Sequence, residues 1–401
     1  MVTTPSSQVP PLVDVDQAAE AISGLHHWLL EKGFPSLERY PWPGHFPSLY
    51  HDPSILFRFV RGRSNSWQAS ALSSLYYAWL ARSNSDLWLL CQAFMLCQPV
   101  ESEQLQRLLT RVKCHELLEA GVLSSLDGMY RSLIRVTPWQ GRLFWHDAPP
   151  GFRDSWVFLG ADSVDFARHL AEWVVKHREV RYDRALDLCT GAGIHALMLA
   201  GIAGEVVGAD INKRAIAFAR LNAALNSIPN ASFCHADLFN GIPAGTFDLV
   251  VSNTPFVFLP DELRPRCRDG DGGAMGIELV LRLVEGLQTH LAPEGVAILH
   301  ANSPIVKGRD LLLDGLCERL TGGRWQLTLI PTHEFHDASF YQLYAVHKIE
   351  RFVRYIVILR AGRPFQVERP SLPPWRKAAC AVRIASVHAQ GTFRLGLDQL
   401  R

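Results

Sequence analysis

The sequence predicts an α/β protein in three parts: a mainly helical domain over residues 1–150, a doubly wound seven-stranded domain over 151–348, and a basic extension over 349–401. Three observations carry that prediction. Short apolar runs alternate with helical stretches from Trp156 to about Lys348, the pattern of a parallel sheet covered on both faces. One of those runs enters a glycine-containing turn that opens a helix, over Ala185 to Ala196. The chain before residue 100 has its apolar positions at helical spacing. At 401 residues and 44.9 kDa, two or three domains with sizeable cores are expected.

The first dozen residues, rich in Pro, Ser and Thr, read as a loose leader. A helix is expected from near Val15 to about Tyr40, with Ala18, Ile22, Leu25, Leu29 and Leu30 on its apolar face. The run YPWPGHFP from Tyr40 then makes a turn-rich connector. Helical segments near 66–81 (Trp67, Leu72, Leu75, Tyr76, Trp79, Leu80) and 84–97 (Leu87, Leu89, Leu90, Phe94, Met95) follow, apolar enough to form a bundle core or a dimer face. Between Ser102 and Asp147 come a short helix (SEQLQRLL), a second (RVKCHELLEAGVL), a turn at Asp127-Gly128, and the strand-like MYRSLIRV and GRLFWHD. That order resembles a winged helix. Residues 101–150 hold six acidic and six Lys/Arg residues, without the basic surplus that phosphate neutralisation needs. A substrate lid or homodimer contact is therefore expected of this region rather than DNA binding.

In the second domain the expected strands are Ala185 to Cys189, Glu205 to Ala209, Ala231 to Cys234, Phe247 to Ser252, Val296 to His300, Gln326 to Ile330 and Tyr341 to His347. Lys213 to Leu225 and Ile277 to His290 are the clearest helices between them. Residues 350–401 carry ten Lys/Arg against three acidic residues, while the chain as a whole is nearly balanced at +1. No whole-chain charge argues for a nucleic-acid partner. Eight scattered cysteines form no CxxC pair, so reduced thiols in a cytoplasmic protein are expected, with no metal site. The most apolar stretch, Leu87 to Val100, is too short to span a bilayer, and the start of the chain lacks the basic and apolar regions of a signal peptide.

The chemistry is concentrated at the ends of the first four strands of the α/β domain. Ala185 to Ala196 reads ALDLCTGAGIHA: a buried strand, a turn whose Gly191 and Gly193 let the backbone approach a ligand, and a helix whose first N–H groups are unpaired. Asp210, 23 residues after Asp187, ends the next strand where a carboxylate accepts both hydroxyls of an adenosine ribose. Gly191 to Ala196 is also a legal GxGxxA fingerprint, which with Asp210 would suit NAD. Asp187 decides against it. A carboxylate there would repel a pyrophosphate, whereas S-adenosylmethionine has no phosphate and brings an ammonium and a sulfonium; the competing structural role for Asp187 is to cap the turn that follows. Cys189 and Ile211 flank these positions as further cofactor contacts. After the third strand, Asp237 is placed to face the adenine amino group, with Leu238 or Phe239 lining the ring. After the fourth comes Asn253-Thr254-Pro255-Phe256, with Asn253 a further expected cofactor contact.

Those four motifs, in that order, resemble the class I S-adenosylmethionine-dependent methyltransferases, with their Rossmann-like fold. Within the class they are similar to the HemK/PrmB-like N-methyltransferases, which have a DLCTGSG-like first motif and an NPPY or NPPF fourth motif. The resemblance covers about residues 155–348. It implies methyl transfer to a planar amide or amino nitrogen, with Asn253, Thr254 and Phe256 as the catalytic group: the Asn253 carbonyl oxygen and the Thr254 main-chain carbonyl take the two N–H hydrogens while Phe256 stacks on the flat group. The sequence departs from the family at Thr254, where proline is usual. Pro255 still biases Thr254 towards an extended conformation, but rigidity is lost. A small-molecule acceptor is the first expectation, and a protein glutamine or a nucleobase in RNA or DNA the second. A non-catalytic regulator, or another use of the cofactor, is less favoured because all four motifs are chemically intact. The long charged loop Asp261 to Gly276, with Arg264, Arg266 and Arg268, is either a substrate lid for an anionic group or a solvated loop whose charges pair internally. His333, His336 and Tyr341 are further pocket candidates.

Overall fold

The computed structural model describes residues 12–39, 78–148, 155–259, 261, 264–266, 269–335 and 341–371. The leader, the connector after Tyr40, most of the segment expected at 66–81 and the end of the basic extension lie outside the described residues. The chain divides into two compact units, one built mainly from residues 1–151 and the other mainly from 162–401.

In the first unit the helix Ala19–Glu31 turns Ile22, Leu25 and Leu29 inward, and all three are fully buried. The helices Ser102–Leu109 and Arg111–Glu119 meet at Thr110, which has φ +68° and accepts a hydrogen bond from the Lys113 amide at 3.3 Å, capping the second helix. Strands β1 (Val100–Glu101), β2 (Leu123–Leu126) and β3 (Met129–Ser132) form an antiparallel sheet in the order β1-β3-β2. The run MYRSLIRV, expected as one strand, breaks at Leu133: β4 (Ile134–Trp139) leaves to pair with β5 (Arg142–Asp147) as a separate hairpin. Five short strands thus stand beside the helices among the described residues of this unit. Both faces of that hairpin are covered: the consecutive Phe144 and Trp145, which point to opposite faces, are each fully buried, and the Trp145 indole donates to His26 Nδ1 at 3.1 Å.

The second unit is built on one sheet. Strands β6 (Tyr182–Leu188), β7 (Ala203–Asp210), β8 (Ala231–His235), β9 (Phe247–Asn253) and β10 (Leu291–Val306) run parallel in the spatial order β8-β7-β6-β9-β10. Beyond β10 lies β13 (Ile349–Ala361), antiparallel both to it and to β12 (Trp325–Phe335), and β14 (Gln366–Glu368) closes the edge alongside β12. With the short β11 (Arg309–Asp310), nine strands are paired among the described residues, where seven were expected. Leu186 and Leu188 face one layer of core with Leu283 and Val284 from the helix Glu278–His290 and Leu312 and Leu316 from Leu311–Leu320. Ala185 and Asp187, by strand alternation, face the opposite layer. Both layers are buried, as the unbroken apolar runs require.

Two expectations are corrected at the end of the chain. Tyr341 to His347 was expected as the last strand and is instead the helix Tyr341–Val346, since a short apolar run has no unambiguous period. The last long strand is β13, inside the segment read as a basic extension. Its charges hid it: Arg351 and Arg354 punctuate a run in which Phe352, Val353 and residues 355–359 are buried. The sheet therefore continues past residue 348.

Because β6 has β7 on one side and β9 on the other, chain order reverses beside its C-terminal end, the place where open α/β sheets bind ligands. All four sequence motifs lie at that edge.

Candidate active site

The turn after β6 is held by two carboxylates. Asp187, fully buried, accepts through Oδ2 from the Thr190 hydroxyl at 2.6 Å and the Ala196 amide at 3.0 Å. Asp187 therefore does cap the turn, and its Oδ1 has no hydrogen-bond partner. Asp210, at the end of β7, accepts through Oδ2 from the Gly191 amide at 2.9 Å and through Oδ1 from the Asn212 amide at 2.8 Å. The backbone between them needs residues tolerant of positive φ: Cys189 is at +57°, Gly191 at +53° and Gly193 at +87°. The two glycines have different reasons. A Cβ on Gly193 would lie 3.1 Å from the Ala219 Cβ, so this glycine lets the helix Lys213–Leu225 approach; a Cβ on Gly191 would meet nothing within 4 Å. Gly191 faces open space.

Electrostatics sharpen the reading. Burial pushes the Asp187 carboxyl up to about 7, assisted by the charge of Asp210 and opposed by its two hydrogen bonds. Asp210 is raised by burial against hydrogen bonds that lower it. Asp269, exposed in the glycine-rich loop, is raised by the neighbouring charges of Asp162 and Asp210. These carboxylates oppose one another's ionisation, and a cationic ligand would relieve them all. S-adenosylmethionine fits these residues: an orphaned buried carboxylate oxygen and several acids for its two positive charges, an open approach at Gly191, and a strand-end acid at Asp210. Ile211, 50 % exposed beside Asp210, offers apolar surface where the sequence places an adenosine contact. A pyrophosphate would meet the same acids as repulsion. The Cys189 thiol is pushed up by burial and by Asp210, Asp187 and Asp237, which leaves it no thiolate character.

The third motif is looser. Asp237 closes a tight turn with Asn240, and its half-exposed carboxylate stands 3.6 Å from Arg282. Leu238, at φ +50°, packs against the core, and Phe239 stacks on His290 at 4.4 Å. Phe239 is thus committed to packing rather than to an adenine ring.

The fourth motif is where the structure adds most. The Asn253 amide is held at both ends. Its Nδ2 donates to Asp162 Oδ2 at 2.9 Å and to the Ser163 hydroxyl at 3.3 Å, and its Oδ1 lies 2.7 Å from His300 Nδ1. Thr254 is 1 % exposed and its hydroxyl donates to the His300 carbonyl at 3.0 Å. Phe256 is 8 % exposed, edge-on to the His300 ring at 5.5 Å, with the Arg354 guanidinium 5.0 Å from its centre. His300 also stacks on Phe166, 5.4 Å away and within 3° of parallel. Asn253, expected as an acceptor and cofactor contact, and Phe256, expected to stack on the acceptor, are each anchored in a polar and aromatic network. Asp162, Ser163, His300 and Arg354 were missed in the sequence. The one available signal was that the strand expected from sequence over Val296 to His300 ended at His300; β10 in fact runs on to Val306 and sets His300 opposite Asn253.

The glycine-rich loop is tied to the fourth motif. Val257 donates to the Gly270 carbonyl and Gly272 to the Val257 carbonyl, and a Cβ on Gly276 would fall 2.7 Å from the Phe256 carbonyl oxygen. Arg264 pairs with Asp271 at 3.0 Å and Asp261 at 3.7 Å, the internal pairing that competed with anion binding. The side chains of Arg266, Arg268, His333, His336 and Tyr341 lie outside the described residues.

Comparison with known proteins agrees with this geometry. Residues 154–311 match the family described as Methyltransferase small domain. A ribosomal protein uL3 glutamine methyltransferase of Xanthomonas campestris pv. campestris is 36% identical over 124 residues, 29% of this chain and 40% of that protein. A release factor glutamine methyltransferase of Thermodesulfovibrio yellowstonii is 31% identical over 127 residues, 29% of this chain and 46% of that one. The chain thus spans less than half the length of these relatives. Among solved structures, a ribosomal protein L11 methylase of Lactobacillus delbrueckii subsp. bulgaricus covers 51% of this chain and 81% of its own at 20% identity, with a TM-score of 0.34. Among the described residues no helix is long and apolar enough to cross a membrane.

Proposed function

We propose that this chain, whose residues 154–311 form a class I methyltransferase domain using S-adenosylmethionine, methylates the side-chain amide nitrogen of a protein glutamine. The observation that carries the proposal is the Asn253 amide, fixed at both ends at the C-terminal edge of the sheet beside the acid-lined turn. The printed names of the two relatives, each a glutamine methyltransferase of a translation protein, move the acceptor from the small molecule first expected to a protein.

Asp187, Gly191, Gly193, Asp210 and Ile211 would hold the cofactor, with Cys189, Asp237 and Leu238 bordering it. The bound cofactor supplies a methyl group on a positively charged sulfur, with a neutral thioether as leaving group. The protein's part is positioning. A fixed Asn253 retains one lone pair on Oδ1 for an acceptor N–H, and the Thr254 main-chain carbonyl is the second acceptor that the motif provides. Two such contacts turn the nitrogen lone pair towards the methyl without a strong base, and a well-oriented intramolecular geometry of this kind contributes about 7 kcal/mol or more to catalysis.

The test is to incubate the protein with methyl-tritiated S-adenosylmethionine and, separately, purified ribosomal protein uL3, a release factor and a small-molecule extract, locating any label by mass spectrometry. Label on a glutamine amide is expected. Label found only in small molecules would overturn the protein acceptor, and absence of cofactor binding by calorimetry would overturn the enzyme.

A further inference from the structure

We infer that His300 is the positioning residue of the acceptor motif, and that the Thr254 hydroxyl supplies, through the His300 carbonyl, the rigidity that a proline ring would give. This rests on the reading of Asn253 to Phe256 as the acceptor motif.

One residue reaches three of the motif's four members. The His300 ring nitrogen meets Asn253 Oδ1, its main-chain carbonyl receives the Thr254 hydroxyl, and its ring makes a T-shaped contact with Phe256. Strand register makes this possible, because His300 lies directly opposite Asn253 on the parallel neighbour β10. The ring itself is held by Phe166, stacked within 3° of parallel.

The chemistry of the partners fixes which way the Asn253 amide points. An ionised Asp162 carboxylate only accepts hydrogen bonds, so the NH2 end of Asn253 must face it, and Oδ1 is left facing His300. A 2.7 Å contact with a carbonyl oxygen requires a proton on His300 Nδ1. With the proton on Nε2 alone, two lone pairs would oppose each other. Asp162 thus sets which way the amide points, and a His300 Nδ1–H holds the oxygen in that orientation.

Thr254 completes the latch. Where the resembling family has a second proline, this chain has a buried threonine whose hydroxyl is tied to the same residue that orients Asn253. The hydroxyl bond ties Thr254 to β10, where a ring would restrain its φ.

The experiment has two arms. In the first, 15N-histidine-labelled protein without cofactor is studied by NMR, with His300 assigned by its loss in His300→Gln. An Nδ1-protonated His300 whose ring signals shift in Asn253→Ala is expected; an Nε2-only tautomer, or no response to Asn253→Ala, overturns the inference. This arm needs no acceptor, so it stands or falls apart from the proposed function. In the second, kcat, KM and S-adenosylmethionine affinity are measured with the methyl acceptor identified by the labelling experiment. His300→Ala and Thr254→Val are expected to lower kcat, the former by about 100-fold as small misplacements of reacting groups do, with cofactor affinity unchanged. His300→Gln, which can still donate an N–H, is expected to recover part of that loss, and Thr254→Pro to recover part of the loss seen in Thr254→Val. Equal losses in the rescuing and non-rescuing variants would mean that His300 and Thr254 only support packing, which overturns the inference.

Discussion

Replacing Asp187 by asparagine tests the electrostatics of the site without its acceptor. The Asp187 carboxyl is pushed from 3.8 up to about 7 by burial. A carboxyl raised in this way favours the folded state while protonated; that contribution is fully present below about pH 4 and is lost as pH rises to about 7. At about 1.4 kcal/mol per pKa unit, holding the ionised form in the fold at pH 8 costs about 4 kcal/mol. Asparagine never ionises, and its carbonyl can still receive Thr190 and Ala196. Its NH2 group, however, falls where Asp187 Oδ1 has no partner, a cost of about 1 to 3 kcal/mol. The net expectation at pH 8 is a cofactor-free variant more stable than wild type by about 1 to 3 kcal/mol, by the same two figures. At pH 5 wild type bears less than half of that cost, about 2 kcal/mol, and the two proteins are expected to be close in stability. Urea denaturation at both pH values measures this. A pH-independent difference, or a variant less stable at pH 8, would refute the account of Asp187 as a strained buried acid. The same acid predicts proton release on binding a cationic cofactor near pH 7, read in calorimetry as a heat that changes with the buffer's ionisation enthalpy.

Asp210→Ala is expected to weaken S-adenosylmethionine binding at least tenfold, since charged hydrogen bonds are each worth about 1.5 to 3 kcal/mol; it also frees the Gly191 amide. Unchanged affinity by calorimetry would remove Asp210 from the cofactor site. Gly191→Val is expected to abolish cofactor binding by filling the open space at that position, while circular dichroism shows a folded protein somewhat destabilised by a β-branched side chain at φ +53°. Full affinity in that variant would refute the cradle. Asn253→Ala is expected to lower turnover by about 2 to 4 kcal/mol in barrier, as deleted transition-state contacts do, with cofactor affinity near wild type. Because Asp162 and His300 each lose a partner, a stability loss of about 1 to 3 kcal/mol accompanies it; full turnover on the identified acceptor would exclude orientation by Asn253.

Much of the cofactor side was legible because it is local. Asp187, the glycine turn and the following helix lie within ten residues, and their hydrogen bonds run between near neighbours in sequence. Parallel strands with buried faces show as unbroken apolar runs, so β6, β7, β8 and β9 were found to within a few residues. Strand β13 was not, because its antiparallel partners β10 and β12 lie up to more than sixty residues away and its arginines imitate a solvated segment. Its pairing shows only when the sheet is assembled.

The acceptor side was only half legible for the same reason. The sequence by itself determined the class of fold, the order of the motifs and the chemical types present at the sheet edge: acids, glycines and an Asn-Thr-Pro-Phe turn. The tertiary structure decided what those side chains touch. Asp162 comes to Asn253 across 91 residues, His300 across 47, and Arg354 reaches Phe256 from a strand assigned to a different region. A side chain's hydrogen-bonding capacity is a property of its type, but which of its ends faces a ligand depends on partners brought together by strand register and packing, and those are set by contacts distant in sequence.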